Sequence, residues 1–326
     1  MTMPPCDFAV IVPAHQAQDT LPACLSALMA AGFPAEAILV VDDGSRDATG
    51  AVATRAGVRV IRNDSPERPA RARNRGVAAC TSEIVLFVDA DVVVHADIRS
   101  RIARHFADPA LTAVIGSYDS APPAPAAVSR YRNLLHHHVH QRAAGEIGTF
   151  WTGLGAVRRA AFLEAGGLDP AWEDIEDVEF GLRLVARGGR IVLDPQMQGA
   201  HLKAWTYRSM WRTDVQGRAV PWTRLLALGR LDPAAMNAGP AHRASAAMVA
   251  LAAVALLALA VTSLAGWVLV GALGAFLVLN RRFFALLWRV GGARLLAAGI
   301  PAHAVHYAAA LVGYAKVRLL ERPRLS

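Results

Sequence analysis

Cysteine and acidic charge are scarce where they would matter most in this 326-residue chain, and each scarcity excludes something. The three cysteines, Cys6, Cys24 and Cys80, form neither an even disulfide framework nor a metal-ligand spacing, so reduced thiols in a cytosolic compartment are expected. Charged residues make up only 18% and mean hydropathy is +0.31, too apolar for an ordinary soluble enzyme. A 54% hydrophobic content also excludes a disordered chain. Met1 to Asp7 lacks a basic stretch followed by an apolar run, so no signal peptide is expected.

The net charge of +8 would suit a nucleic-acid binder, but its location argues otherwise. Residues 1–240 hold 25 bases and 25 acids and are neutral, whereas residues 241–326 hold nine bases and a single acid, Glu321. The whole excess therefore lies in the most apolar part of the chain. Arginines flanking membrane segments fit that pattern; a nucleic-acid surface does not. No charge occurs in the 37 positions between Arg243 and Arg281. One helix of that length would run ~55 Å, nearly twice a hydrocarbon core, so a hairpin over about 246–279 with a turn near Thr262–Gly266 is expected. The segment 295–317 is apolar but interrupted by Pro301, His303 and His306, and reads equally as an interfacial helix or a third span.

What is present before residue 240 is an alternation. Phe8–Val12, Ala37–Val41, Val58–Arg62 and Ile84–Val88 read as strands, and Leu21–Ala31, Ala48–Ala56 and Ala70–Ala79 as helices between them. Such βαβ units build an α/β fold with a mostly parallel sheet, and ligands bind beyond the carboxyl ends of its strands. Polar residues just after each strand are the candidates for chemistry.

Asp89-Ala90-Asp91 follows the fully apolar fourth strand. Residues i and i+2 of an extended chain point to one side, and two hard oxygen ligands suit Mg²⁺ or Mn²⁺ held jointly with phosphate. Asp42-Asp43-Gly44-Ser45 follows the second strand and can meet a base or ribose, although Asp and Gly also simply favour turns. Arg68, Arg71, Arg73 and Arg75 lead into the fourth strand, where one of them can offset diphosphate charge. Glu176-Asp177 opens an amphipathic helix, where the dipole alone gives acids a reason to sit. Consecutive histidines at 136, 137 and 138, with His140, point in different directions on a helix, and no carboxylate nearby completes a metal site.

Taken together, Ile11-Val12-Pro13-Ala14, Val41-Asp42-Asp43-Gly44-Ser45, Ala72-Arg73-Asn74-Arg75-Gly76, Asp89-Ala90-Asp91 and Glu176-Asp177 occur in an order and spacing that resembles family 2 glycosyltransferases of the GT-A fold. The resemblance covers about Phe8 to Trp222, with further echoes at Gly153–Arg159, Gly166–Asp169 and His201–Trp205. It implies that Pro13, Asp42 and Asp43 hold the base and ribose, with Arg73 near the nucleotide. It implies Asp89 and Asp91 at the metal–diphosphate, Asp177 as catalytic base with Glu176 beside it, and His201 as either a third metal ligand or a structural histidine. The expected enzyme is an inverting transferase using Mg²⁺ or Mn²⁺, a nucleoside-diphosphate sugar donor and a lipid-linked or membrane-proximal acceptor. Residues 1–240 would form the catalytic domain, on the cytoplasmic side of a multi-pass chain in the inner or plasma membrane, with acceptor-side and interfacial elements over 200–240 and the membrane region over 241–326.

Departures from the family pattern narrow the expectation. Processive members carry Gln-x-x-Arg-Trp, but here Gln216-Gly217-Arg218-Ala219-Val220-Pro221-Trp222 separates Arg from Trp, which favours transfer of a single sugar. Glu173-Asp174 competes as the base, but Val178–Leu184 continues the family pattern only after Glu176-Asp177. A nucleotidyltransferase would need a Gly-rich basic loop after the first strand, where Val12-Pro13-Ala14-His15-Gln16 stands instead. A non-catalytic membrane scaffold would not need Asp89, Asp91 and Asp177 intact.

Overall fold

A computed structural model describes residues 7–231 and 239–321. Cys6 and the rest of the N-terminal heptad before Asp7, residues 232–238 of the interfacial stretch, and Arg322 and Arg324 of the basic tail lie outside the described residues. The chain divides into two compact units, Met1–Pro123 with Val139–Lys203, and Ala124–His138 with Ala204–Ser326. The division is not a single cut near 240, because Ala124–His138 and the chain after Lys203 pack with the C-terminal helices.

The first unit is built on one sheet. Phe8–Ala14 (β1), Ile38–Asp42 (β2), Arg59–Arg62 (β3) and Ile84–Val88 (β4) pair in parallel in the order β3-β2-β1-β4. The intervening helices are Leu21–Ala30 (α1), Thr49–Arg55 (α2) and Pro69–Ala78 (α3). All five residues of β4 are buried, as expected for a strand covered on both faces. Pro13, which has no N–H to give, sits beyond Ile11, the last β1 residue in register with β4, so no ladder bond is lost there. Gly76 lets α3 lie against β1: a Cβ there would be 2.6 Å from Ile11.

The rest of the sheet is mixed. Val92–Val94 (β5), Ile98–Phe106 (α4), Leu111–Tyr118 (β6), Ala127–Arg142 (α5), Gly145–Glu146 (β7), Leu154–Arg158 (β8), Arg159–Glu164 (α6), Glu176–Ala186 (α7) and Arg190–His201 (β9) follow in chain order. The antiparallel β8 joins β4 to β6, and β9 pairs in parallel with β6 and antiparallel with β5. The glycine-rich run Gly148–Gly155 ends inside this central strand.

The second unit is helical. It holds Tyr207–Asp214 (α8), a π-turn at 215–219, Val220–Ala227 (α9), Pro240–Ala258 (α10), Leu264–Leu279 (α11) and Arg281–Ala315 (α12), with a π-turn at 316–320. The helices α10 and α11 form the expected hairpin. Among the described residues, α10 and the 40-residue run from Arg281 are long and apolar enough to cross a membrane by length and composition, while α11 is shorter. Their outward residues are bare hydrocarbon and indole: Leu257 is 78% exposed and Trp267 79%.

The expected interruption at Pro301 does not occur. Instead α12 breaks at Gly291 and Gly292, the latter at φ +60°, where only glycine sits without strain, and then runs on through Pro301. Its later half is fixed by polar contacts. Tyr131 donates to His303 (2.9 Å), His303 to Asn280 (2.9 Å), and Asn280 to Ser245 (3.1 Å). Asp214 is buried between Arg132 (2.6 Å) and His306 (2.9 Å), whose charges hold its carboxyl well below the usual range although burial opposes them.

Candidate active site

The residues singled out from sequence meet at the carboxyl ends of β1, β2 and β4, all within the first unit. The strand order places them there: Ala14 lies in register with Asp42, so the first two motifs share a rim, and the Asp89 turn follows β4 beside them.

The paired aspartates after β2 are structural as well as rim-lining. Asp42 is fully buried, with Oδ1 accepting from the Ser45 N–H (3.0 Å) and Oδ2 paired to Arg62 (2.8 Å). Asp43 gathers the Asn63 side-chain amide (2.7 Å) and the N–H groups of Glu67 (2.8 Å) and Arg68 (2.9 Å). These bonds draw the 63–68 loop onto the rim, and a Cβ on Gly44 would strike the Ser65 backbone at 2.6 Å. Both Asp42 carboxylate oxygens are thus engaged within the protein.

Arg73 joins three motifs. It is 5% exposed and reaches Asp89 with one guanidinium nitrogen (2.7 Å) and Glu176 with the other (2.9 Å). A planar fork bonding two carboxylates is a task for Arg, not Lys. Burial pushes the Glu176 carboxyl up to about 7 despite Arg73, and the neighbouring Asp177 pushes it the same way. Glu176 is buried and spent on Arg73.

Asp177 is different. It is half-buried; its Oδ2 accepts from the Thr152 N–H (3.1 Å) and hydroxyl (3.3 Å), and its Oδ1 from the Val178 N–H (2.8 Å). The surrounding protein raises its carboxyl above the ordinary range, against the pull of the Thr152 N–H and Arg73. A base poised upward in this way suits proton abstraction near neutral pH. By contrast, Glu173, the rival in sequence, is exposed and paired with Arg68.

Asp91 and His201 meet at the start of β5. Asp91 Oδ2 lies 3.4 Å from His201 Nε2 because β5 and β9 pair Val92 with His201. Burial alone would raise the Asp91 carboxyl, but His201 and Lys203 beside it hold it down. Two ligands of one octahedral cation are about 3 Å apart, so this oxygen and nitrogen fit Mg²⁺ or Mn²⁺, with Asp89 alongside but turned to Arg73. Among the described residues no three His, Cys, Asp or Glu side chains gather into a site. The Tyr118 ring stacks on His201 at 4.2 Å and Trp151 abuts Tyr118 at 4.9 Å.

Several contributors escaped the sequence reading. Thr152 lay in a Gly-rich run with no periodicity to mark it. Asn74, inside the Arg73–Gly76 motif, bonds both the carbonyl (2.7 Å) and the N–H (2.9 Å) of Leu168. Cys24 places its thiol 3.6 Å from the Asp89 carbonyl, and burial pushes that thiol far up. In the histidine run, His140 bonds the Gly116 carbonyl (2.9 Å) and His138 lies against Phe283.

Residues 9–166 match the family model described as Glycosyl transferase family 2. That stretch, just under half of the chain, is similar to a family 2 glycosyltransferase domain. That domain is 30% identical over 186 residues to a pre-mycofactocin glycosyltransferase of Mycobacterium tuberculosis, an alignment covering 52% of this chain and 39% of the relative. It is 29% identical over 207 residues to the succinoglycan biosynthesis protein ExoU of Rhizobium meliloti, covering 57% and 59%. The chain thus spans less than two thirds of either relative's length. In fold, it aligns at TM-score 0.62 and 20% identity with a Pyrobaculum calidifontis mannosyltransferase solved with GDP-Man and Mn²⁺, covering 97% of this chain and 88% of that one. At that identity the likeness establishes the GT-A fold of the glycosyltransferase domain.

Proposed function

We propose that the chain is an inverting, metal-dependent glycosyltransferase that passes one sugar from a nucleoside-diphosphate donor to a lipid-linked hydroxyl or phosphate at the cytoplasmic face of a membrane. The observation carrying this reading is the Asp177 carboxylate, aimed by Thr152 and tied through Glu176 and Arg73 to the Asp89 turn. Pro13, Asp42 and Asp43 frame the base and ribose, and Arg73 stands by the diphosphate. Asp91 and His201, with Asp89, would hold Mg²⁺ or Mn²⁺. When bound, the cation offsets charge on the departing nucleoside diphosphate. Asp177 takes the proton of the acceptor hydroxyl as its oxygen attacks the anomeric carbon opposite the leaving group, and a single displacement inverts the configuration. The apolar hairpin and the basic tail support membrane attachment.

The test is release of nucleoside diphosphate from a panel of UDP- and GDP-sugars by membranes carrying the full chain. Asp177→Asn should lower turnover by about 10²–10⁴ while leaving nucleotide binding intact. EDTA should abolish wild-type release, and Mn²⁺ or Mg²⁺ should restore it. Near-normal turnover in the variant refutes the base; chelator-resistant release refutes the metal.

A further inference from the structure

The helical unit holds a groove, apolar over much of its lining and edged by arginines, that the proposed reaction does not use. It lies along α8, encloses about 400 Å³, and is lined by Thr206, Arg208, Ser209, Trp211, Arg212 and Gln216. The helix buries Met210 and Asp214 and leaves Tyr207, Arg208, Trp211 and Arg212 exposed. Arg208 and Arg212 are four residues apart and share a face. Among the described residues neither has a carboxylate partner; Arg212 has only a 3.4 Å contact to the Gln216 amide oxygen. Nor do the unit's described residues supply one. Its two acids among the described residues are engaged elsewhere, Asp214 with Arg132 and His306, and Glu321 with Arg224. Neither of these two acids balances the charge of this face.

We infer that this groove binds the phosphate headgroup of an anionic phospholipid and seats α8 on the bilayer surface. The inference rests on the membrane attachment proposed above. Guanidinium groups bond phosphate oxygens in pairs, and a Trp and a Tyr beside them are the side chains that settle at headgroup depth. The same unit carries the apolar α10–α11 hairpin. Glutamine or asparagine in place of the arginines would serve a neutral sugar; two arginines without internal partners serve an anion.

The test uses the full chain in mild detergent, with bound lipid counted by native mass spectrometry during titration with dioctanoyl phosphatidylglycerol, dioctanoyl phosphatidylcholine or inorganic phosphate. Phosphatidylglycerol should bind at least about tenfold more tightly than phosphatidylcholine. The double variant R208Q/R212Q should lose about thirtyfold of that affinity, roughly fivefold per arginine, while R208K/R212K retains most of it and both melt like the wild type. Equal affinity for the two lipids, or unchanged binding in the glutamine variant, overturns the inference. Displacement of phosphatidylglycerol by millimolar inorganic phosphate assigns the groove to a soluble anion and overturns it too. Carbonate extraction of wild-type membranes separates the two readings. Release of the chain refutes membrane attachment itself, whereas retention without lipid selectivity refutes the groove alone.

Discussion

At the scale of single residues, the site turns on how two adjacent carboxyls are made unlike. Glu176 is buried and bonded to Arg73; Asp177 is half-buried and held by three donors, from Thr152 and Val178. Both carboxyls are raised, Glu176 to about 7 from an ordinary 4.5. A carboxyl raised on folding holds its proton more tightly in the native chain. Its contribution to stability is therefore full below pH 4.5 and is lost as pH rises through about 7. Activity runs the other way, because Asp177 must be ionised to accept a proton. The pH profile of kcat/KM should fall on the acid side with an apparent pKa above the ordinary carboxylate range, a property of the coupled pair. Glu176→Gln removes the neighbouring carboxylate of the coupled pair and should move that limb to lower pH. A wild-type profile flat down to pH 5, or a limb unmoved by the substitution, contradicts this division of roles.

At the scale of elements, Asp177 is placed by the packing of α7. A Cβ on Gly181 would stand 2.2 Å from the Phe150 backbone nitrogen, so α7 lies directly on the 149–150 segment that leads into Thr152. Gly181→Ala gains up to about 1 kcal/mol of helix propensity but must push the helix away, and overpacking of this kind costs about 1–3 kcal/mol. The net effect should be a lower melting temperature. Transfer should drop by up to about a hundredfold, since a displacement near 1 Å at the base is enough. Gly271→Ala in α11, with nothing within 4 Å of the added carbon, should leave melting unchanged or raised. Calorimetry and the release assay check both. The same packing explains what was legible in sequence. The early βαβ units announce themselves through apolar runs and glycine stops. β8 does not, because Gly155 makes room for the Trp151 carbonyl 2.3 Å from where its Cβ would be. Thr152 meets Asp177 across 25 residues of chain, a contact no local pattern encodes. Pro301 misled because the real break needs a positive φ, and only Gly292 supplies it without strain.

At the scale of the whole molecule, the charge of +8 marks an orientation. Arg243 precedes the α10–α11 hairpin and Arg281 and Arg282 follow it, so a hairpin that crosses and returns leaves these bases on one side. Under the proposed membrane attachment, the tendency of basic residues to stay cytoplasmic predicts that the 259–263 turn lies on the far face. The chain's own thiols permit a clean test. Cys24 and Cys80 are buried, and burial raises both thiols, so neither competes for a maleimide. In a Cys6→Ser background, Thr262→Cys should be labelled by a membrane-impermeant maleimide on intact spheroplasts. Arg281→Cys should be labelled only after permeabilisation. The reverse pattern places the catalytic domain outside, and labelling of both in intact cells means that the hairpin does not cross. The second half of α12 enters this picture as a packed element. His303 bonds Tyr131 and His306 bonds Asp214, so this half of α12 is tied by polar contacts inside the helical unit.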